Sequence, residues 1–109
     1  MRWEVREYLS HRGDSPFSDW LSNLDPRTRG RIRARINRIR SGNFGNCKRL
    51  GSKIWELKLD FGPGYRVYFG RIGRLVVLLL CGGDKSTQTQ DINVAEALWK
   101  DYERRNEDG

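Results

Sequence analysis

Histidine, methionine, cysteine and proline are all scarce, with one, one, two and three residues in a chain of 109. The single histidine, His11, sits in a turn-rich stretch with no cysteine or acidic cluster around it. That excludes the usual metal-ligand sets and leaves no Ser-His or Cys-His pair, so His11 reads as a surface residue and neither a metal nor a cofactor is expected. Cys47 and Cys81 are too far apart in sequence for a CxxC site and read as two free thiols, which fits a reducing compartment. Long apolar runs are also missing. The longest, Leu75 to Cys81, has seven residues, against the roughly 20 that a membrane helix needs. Met1-Arg2-Trp3-Glu4 leads into no apolar stretch of the kind that marks a secretory signal. A cytoplasmic chain without membrane contact is the expectation. Gly42-Asn43-Phe44-Gly45 and Gly82-Gly83-Asp84-Lys85-Ser86 are glycine-rich but do not fit the spacing of a phosphate-binding loop, and are read as turns.

What the chain does have is aromatic residues and positive charge. Four Trp, four Tyr and four Phe within a hydrophobic content of 37% suffice for one folded core, and the length suits a single domain over residues 1–109. The net charge of +7 is unevenly placed: −2 over residues 1–26, +12 over 27–75 and −3 over 76–109. A basic middle is flanked by acidic ends.

The pattern predicts an α+β fold. Trp3 to Tyr8 partly alternates and is rich in aromatic and β-branched residues, as in a short strand. Ser15-Pro16 and Asp25-Pro26 each read as an N-cap followed by proline in the first helical turn. Phe17, Trp20, Leu21 and Leu24 give the first helix one apolar face, and Ile32, Ile36 and Ile39 give the second, ending near Arg40, a thin stripe. The period then changes. Cys47 to Leu50 is too short to assign, whereas Ile54 to Phe61 alternates cleanly, with Trp55, Leu57, Leu59 and Phe61 opposite Glu56, Lys58 and Asp60. Gly62-Pro63-Gly64 turns the chain into a second strand, Tyr65 to Ile72. Leu75 to Cys81 is apolar on both faces and so predicts a central strand. Thr87 and Gln90 fit a capping box opening a last helix with an apolar face of Ile92, Ala95, Leu98, Trp99 and Tyr102, fraying after Arg104. The expected architecture is an antiparallel sheet of four to five strands with two N-terminal helices and one C-terminal helix.

Two constellations carry chemistry. Between Arg27 and Arg40, seven of fourteen residues are arginine and none is acidic. Such a helix accepts like-charge repulsion where mixed charges would give i,i+4 pairs. It is read either as a solubilising face or as a surface for phosphate or carboxylate, which the forked guanidinium suits. The second lies on the sheet, where Glu56 and Lys58 share a polar face with Arg66 and Tyr68 of the next strand, and Lys85 follows the central strand. A carboxylate beside three cations is what cleavage of a phosphodiester by its ribose 2′-OH needs: a base, and positive donors for charge growing on phosphorus oxygens. A plain cross-strand ion pair between Glu56 and Arg66 is the competing reading. On either, these four side chains are expected to face solvent or a groove.

Phe17-Ser18-Asp19-Trp20-Leu21, Arg38-Ile39-Arg40-Ser41-Gly42-Asn43-Phe44-Gly45, Trp55-Glu56-Leu57-Lys58, Phe61-Gly62-Pro63-Gly64-Tyr65-Arg66-Val67-Tyr68-Phe69 and Leu78-Leu79-Leu80-Cys81-Gly82-Gly83-Asp84-Lys85-Ser86-Thr87-Gln88 together resemble the RelE/ParE toxin superfamily, nearest its HigB-like, phage-type "addiction module killer" branch. The resemblance runs from about Trp3 to Tyr102. It implies a microbial ribonuclease-like fold and, for most members, metal-independent, ribosome-dependent cleavage of mRNA in the cytoplasm. It also implies a cognate antitoxin, a small helix-turn-helix protein through which alone operator DNA would be bound. By the same resemblance Arg66 would hold the scissile phosphate, Glu56, as the base, and Lys58 would flank it, and Lys85 would stabilise charge or the leaving group. The ribosome- and RNA-binding surface would comprise Arg27, Arg31, Arg33, Arg35, Arg38 and Arg40 with Lys48, Arg49 and Tyr68. Where the strongest RNA-cleaving relatives place Tyr or His after the basic position, this chain has Ser86-Thr87-Gln88-Thr89-Gln90-Asp91. Other members of the superfamily poison DNA gyrase instead, and a degenerate member would act only by binding its antitoxin and helping it grip operator DNA.

Overall fold

Both N-terminal helices begin where the caps predict. In the computed structural model, which describes residues 2–51 and 53–106, the Ser15 hydroxyl accepts from the Ser18 amide to open α1 (Pro16–Ser22). The Asp25 carboxylate accepts from Thr28 to open α2 (Pro26–Arg40). Each cap satisfies an amide that the first helical turn leaves without a partner, and the following proline sacrifices none. A five-stranded sheet is built from β1 (Glu4–Glu7), β2 (Cys47–Leu50), β3 (Ile54–Leu59), β4 (Tyr65–Ile72) and β5 (Val76–Gly83), in the order β1-β5-β4-β3-β2. The C-terminal helix α3 (Gln88–Asn106) follows a short 3-10 turn at Lys85–Thr87.

The sheet is mixed rather than wholly antiparallel. β2 through β5 form the expected meander, but β1 pairs parallel to β5. The reason is the crossover: α1 and α2 carry the chain across one face of the sheet, so it arrives at the far edge and meanders back to meet β1 from inside. That places β5 between β1 and β4, the central position its two apolar faces predicted.

The two faces have separate cores. On one, Phe17 and Leu21 of α1 and Ile32, Ile36 and Ile39 of α2 pack on Leu57, Leu59, Val67, Phe69, Val77 and Leu79. On the other, Ala95 and Trp99 of α3 pack on Tyr8, Ile54, Tyr68, Leu78, Leu80 and Cys81. An irregularity between Tyr68 and Phe69 in the β4–β5 pairing leaves Leu80 unopposed, which turns Leu80 and Cys81 both toward α3. Gly82 and Gly83 are strand residues, not a turn. The Trp20 ring would lie 2.3 Å from an added Cβ at Gly82, and the Asp91 carboxylate 1.7 Å from one at Gly83, so each glycine admits a side chain pressed onto an opposite face.

The cap of the last helical segment also differs from expectation. Asp84, not Thr87, is the N-cap. Its side chain accepts from the Ser86 amide at 2.8 Å, while Thr87 Oγ1 accepts from the Asp84 amide. The helix continues past Arg104 to Asn106, and the rest of the expected polar tail, residues 107–109, lies outside the described residues. Arg105 and Tyr8 hold this end to the first strand: Arg105 donates to Leu9 O at 2.5 Å and pairs with Asp101 at 3.0 Å, and the Tyr8 hydroxyl donates to Asp101. Among the described residues no helix is long and apolar enough to cross a membrane.

Candidate nucleic-acid cleft

The alternation of β3 and β4 brings the predicted residues together, but beneath a helix. Lys58 stands opposite Arg66 and Glu56 opposite Tyr68 in the β3–β4 register, while Arg66 faces Gly83 on β5. All project toward the α3 side, because the neighbouring positions are committed to the α1/α2 core. The sequence placed Glu56, Arg66 and Tyr68 on an open polar face. All three are instead buried, 2%, 6% and 0% exposed. α3 closes the polar face at its centre, and the end near the Gly62–Gly64 turn stays open.

At that open end lies a cleft of about 410 Å³, lined by Lys58, Asp60, Phe61, Gly62, Pro63, Gly64, Arg66 and Lys85. Three cations face one carboxylate there. Arg66 reaches it with a buried side chain whose Nη1 donates to Gly64 O at 2.5 Å. Its Nε lies 3.9 Å from Glu56 Oε2 and makes no hydrogen bond. Gly64 has φ +81, which favours glycine, and an added Cβ would crowd Arg66 Nη1 at 3.0 Å and touch Lys85 Cβ at 3.4 Å. Lys58 is half-buried and pairs with Asp60 at 3.7 Å, whereas Lys85 is exposed.

Glu56 stands behind Arg66 and does not line the cleft. Its Oε2 accepts from Gln88 Nε2, the first residue of α3, at 2.9 Å. Gln88 is thus a site residue that the sequence reading passed over, as is Asp60, the carboxylate in the cleft wall. Asp60 had a readable signal, since it shares the period-2 face of Glu56 and Lys58; Gln88 had none, because its position depends on where α3 docks. The Tyr68 hydroxyl is buried without a hydrogen-bond partner, and burial above all, with Glu56 nearby, drives its pKa upward. The ring therefore belongs to the second core, out of reach of RNA in this arrangement.

The arginines of α2 spread around its circumference. Arg31 lies over the Phe61 ring at 3.7 Å, which brings it beside the cleft. Arg29 donates to Leu24 O at 2.6 Å, at the end of α1. Arg33 and Arg40 line a separate hollow against β1, Arg35 lies by Gly45, and Arg27 and Arg38 are exposed. Among the described residues no acidic side chain pairs with any of the seven. Lys48 and Arg49 are exposed on the edge strand β2. Of the expected binding set, Arg31 adjoins the cleft, Tyr68 is buried, and the others are spread over α2 and the edge strand β2. Both cysteines are free; burial pushes the Cys47 thiol up to about 11 and the Cys81 thiol up to about 12. Among the described residues no group of His, Cys, Asp and Glu converges as a metal site would require.

Comparison with known proteins places this arrangement. The family model described as "Phage derived protein Gp49-like (DUF891)" matches residues 19–100, from α1 through most of α3. The chain belongs to the Gp49-like family. This is a RelE-type, toxin-like family whose members are often toxins of toxin–antitoxin systems. An "uncharacterized protein" of Haemophilus influenzae is 49% identical over 83 residues, which cover 75% of this chain and 84% of the relative. The family match spans every cleft residue, so the hairpin from Ile54 to Ile72 and the Gly-Gly-Asp-Lys segment lie inside it.

Proposed function

We propose that this Gp49-like chain is a HigB-like toxin of a type II toxin–antitoxin system, and that it stops translation by cutting mRNA on the ribosome. The observation that carries the reading is the cleft: a buried arginine reaching into it, two lysines at its rim and one carboxylate in its wall. A guanidinium already desolvated and anchored by Gly64 O is preorganised for a phosphate, because it needs no reordering when charge grows on the phosphorus oxygens.

In this reading Arg66 and Lys85 hold the non-bridging oxygens of the scissile phosphate. Attack by the ribose 2′-OH forms the new P–O bond as the 5′-oxygen leaves. Asp60 is the exposed carboxylate available to take the hydroxyl proton, and Lys58, paired with it, to return a proton to the leaving oxygen. Glu56, shut behind Arg66, acts through it as a positioning residue. The arginines of α2, which have no acidic partner among the described residues, serve rRNA when the toxin is free and an acidic antitoxin when it is neutralised.

A second reading has one observation in its favour. The cleft contains no histidine or tyrosine to act as a neutral acid or base, which suits a non-cleaving gyrase inhibitor of ParE type. Induction without antitoxin, followed by mapping of RNA 5′ ends and a supercoiling assay, separates the two. New ends within translated messages with normal supercoiling support cleavage; lost supercoiling without new ends supports the second reading.

A further inference from the structure

A further hollow lies away from the cleft, at the other end of β4. It measures about 640 Å³, within the range of small-ligand sites. Its walls are aromatic and cationic. Trp99 and Tyr102 of α3 lie with ring centroids 5.4 Å apart, and Trp55 and Arg71 complete the wall from the α1/α2 side of the sheet, where the Arg71 guanidinium lies over the Trp3, Trp55 and Phe44 rings at 4.5, 4.9 and 5.1 Å. Lys53 bridges the rim to Glu103 at 2.5 Å, with both side chains substantially exposed. Trp99 is 7% exposed, and its indole Nε1 is buried without an acceptor. The cleft residues use none of these side chains.

The ligand that fits must meet several demands. It needs a flat π-face for the Tyr102 ring, which is only half-buried, and an acceptor for the Trp99 N–H. It also needs negative charge for Arg71 and for a Lys53 released from Glu103. An acidic peptide brings charge without a plane, and an apolar helix covers the rings without an acceptor for the indole. A nucleotide unit supplies all of these: a base that stacks, ring and exocyclic acceptors, and a phosphate.

We infer that the hollow between Trp55, Arg71, Trp99 and Tyr102 is an accessory binding site for single-stranded RNA, holding a nucleotide at a distance from the bond that is cut. The inference rests on the RNA-cleaving reading and deepens it. Arg66 and Arg71 are five residues apart on β4, roughly 17 Å at strand rise, and point to opposite faces, so a strand joining the two sites spans several nucleotides and turns over the end of the sheet. The site is sequence-tolerant, since every base has a π-face.

The test uses the full chain and a fluorescent 2′-O-methyl oligonucleotide of about ten nucleotides, which attack by a 2′-OH cannot cut. Tyr102→Ala is expected to weaken binding about tenfold, and Lys53→Gln to lower the salt slope by roughly 0.7. Tyr102→Leu, which keeps apolar bulk against Trp99, separates lost stacking from lost packing and is expected to weaken binding with little change in melting temperature. In message cleavage, Tyr102→Leu should raise KM and leave kcat unchanged. Unchanged oligonucleotide affinity in both Tyr102 variants overturns the inference. So does a variant that binds oligonucleotide normally but loses affinity for purified antitoxin, which would make the hollow a protein-docking surface. If wild-type protein binds the oligonucleotide through Tyr102 yet cuts no message, the cleavage reading falls and this site stands; cleavage indifferent to Tyr102 gives the reverse.

Discussion

Replacing Glu56 by glutamine removes a charge while keeping the shape and the acceptor that Gln88 uses. The cost can be worked from the burial of the pair. Glu56 and Arg66 side chains are 2% and 7% exposed and lie 3.9 Å apart. Removing one member of a buried pair leaves the other charge without compensation, at about 3–5 kcal/mol. Here the separation is long and Arg66 keeps its bond to Gly64 O, so the loss falls near the lower limit, about 3 kcal/mol. For a chain of 109 residues that corresponds to a fall in Tm of roughly 12 °C, taking about 4 °C per kcal/mol. Arg66→Met should cost a similar amount, since it strands the carboxylate. The double variant should be little worse than either single one, because with both charges gone the site is merely uncharged. Thermal melts of the four proteins close the cycle, with an expected coupling of about 2–3 kcal/mol. Additive losses would show that the two side chains stabilise the fold independently, and the account of Glu56 as the residue that positions Arg66 would fail.

Further outcomes follow from packing and titration. Gly70→Ala should destabilise the chain by about 1–3 kcal/mol, since an added Cβ would meet the Trp99 ring at 2.1 Å; a denaturant melt with an unchanged midpoint would contradict the docking of α3. In acid, stability should fall below about pH 4. Hydrogen bonds from the Thr28 hydroxyl to Asp25, the Ser86 hydroxyl to Asp84 and the Tyr8 hydroxyl to Asp101 hold these carboxyls below their usual range, so their contribution is present above the unfolded value and lost as pH falls through the folded one. In alkali the sign reverses. The Cys81 thiol, pushed up to about 12 by burial, contributes stability that is fully present below about pH 8.5 and is lost as pH rises from there toward about 12. Urea midpoints across the pH range check both limbs, and a flat profile from pH 3 to 11 would refute them.

How much of this was legible in the sequence follows from how local each feature is. The caps at Ser15 and Asp25, the Gly62–Gly64 turn and the alternation of β3 are written within a few residues, and the structure has them where the sequence puts them. β5 was readable as central because both of its faces are apolar. The parallel pairing of β1 was not, since it depends on the path taken by two helices over the sheet. Burial of Glu56, Arg66 and Tyr68 escaped for a related reason. Alternating polar residues signal solvent only if nothing covers them, and here Trp99 over Gly70 and Gln88 against Glu56 bring α3 down onto that face. Gly82 and Gly83 read as a turn from composition, whereas their missing side chains make room for Trp20 and Asp91. The cluster of Lys58, Arg66 and Lys85 was legible as residues, but its membership was incomplete: Asp60 and Gln88 are settled only by the cleft's shape and the docking of a helix.

The measurement that bears most directly on the central claim is cleavage mapping in a purified translation system. Wild-type protein is added to ribosomes carrying a defined message, beside Arg66→Ala shown by its melt to be folded. The account predicts cuts in the message that depend on ribosomes and vanish with Arg66→Ala. An intact message at toxin excess beside active ribosomes, or equal cutting by the variant, would contradict it.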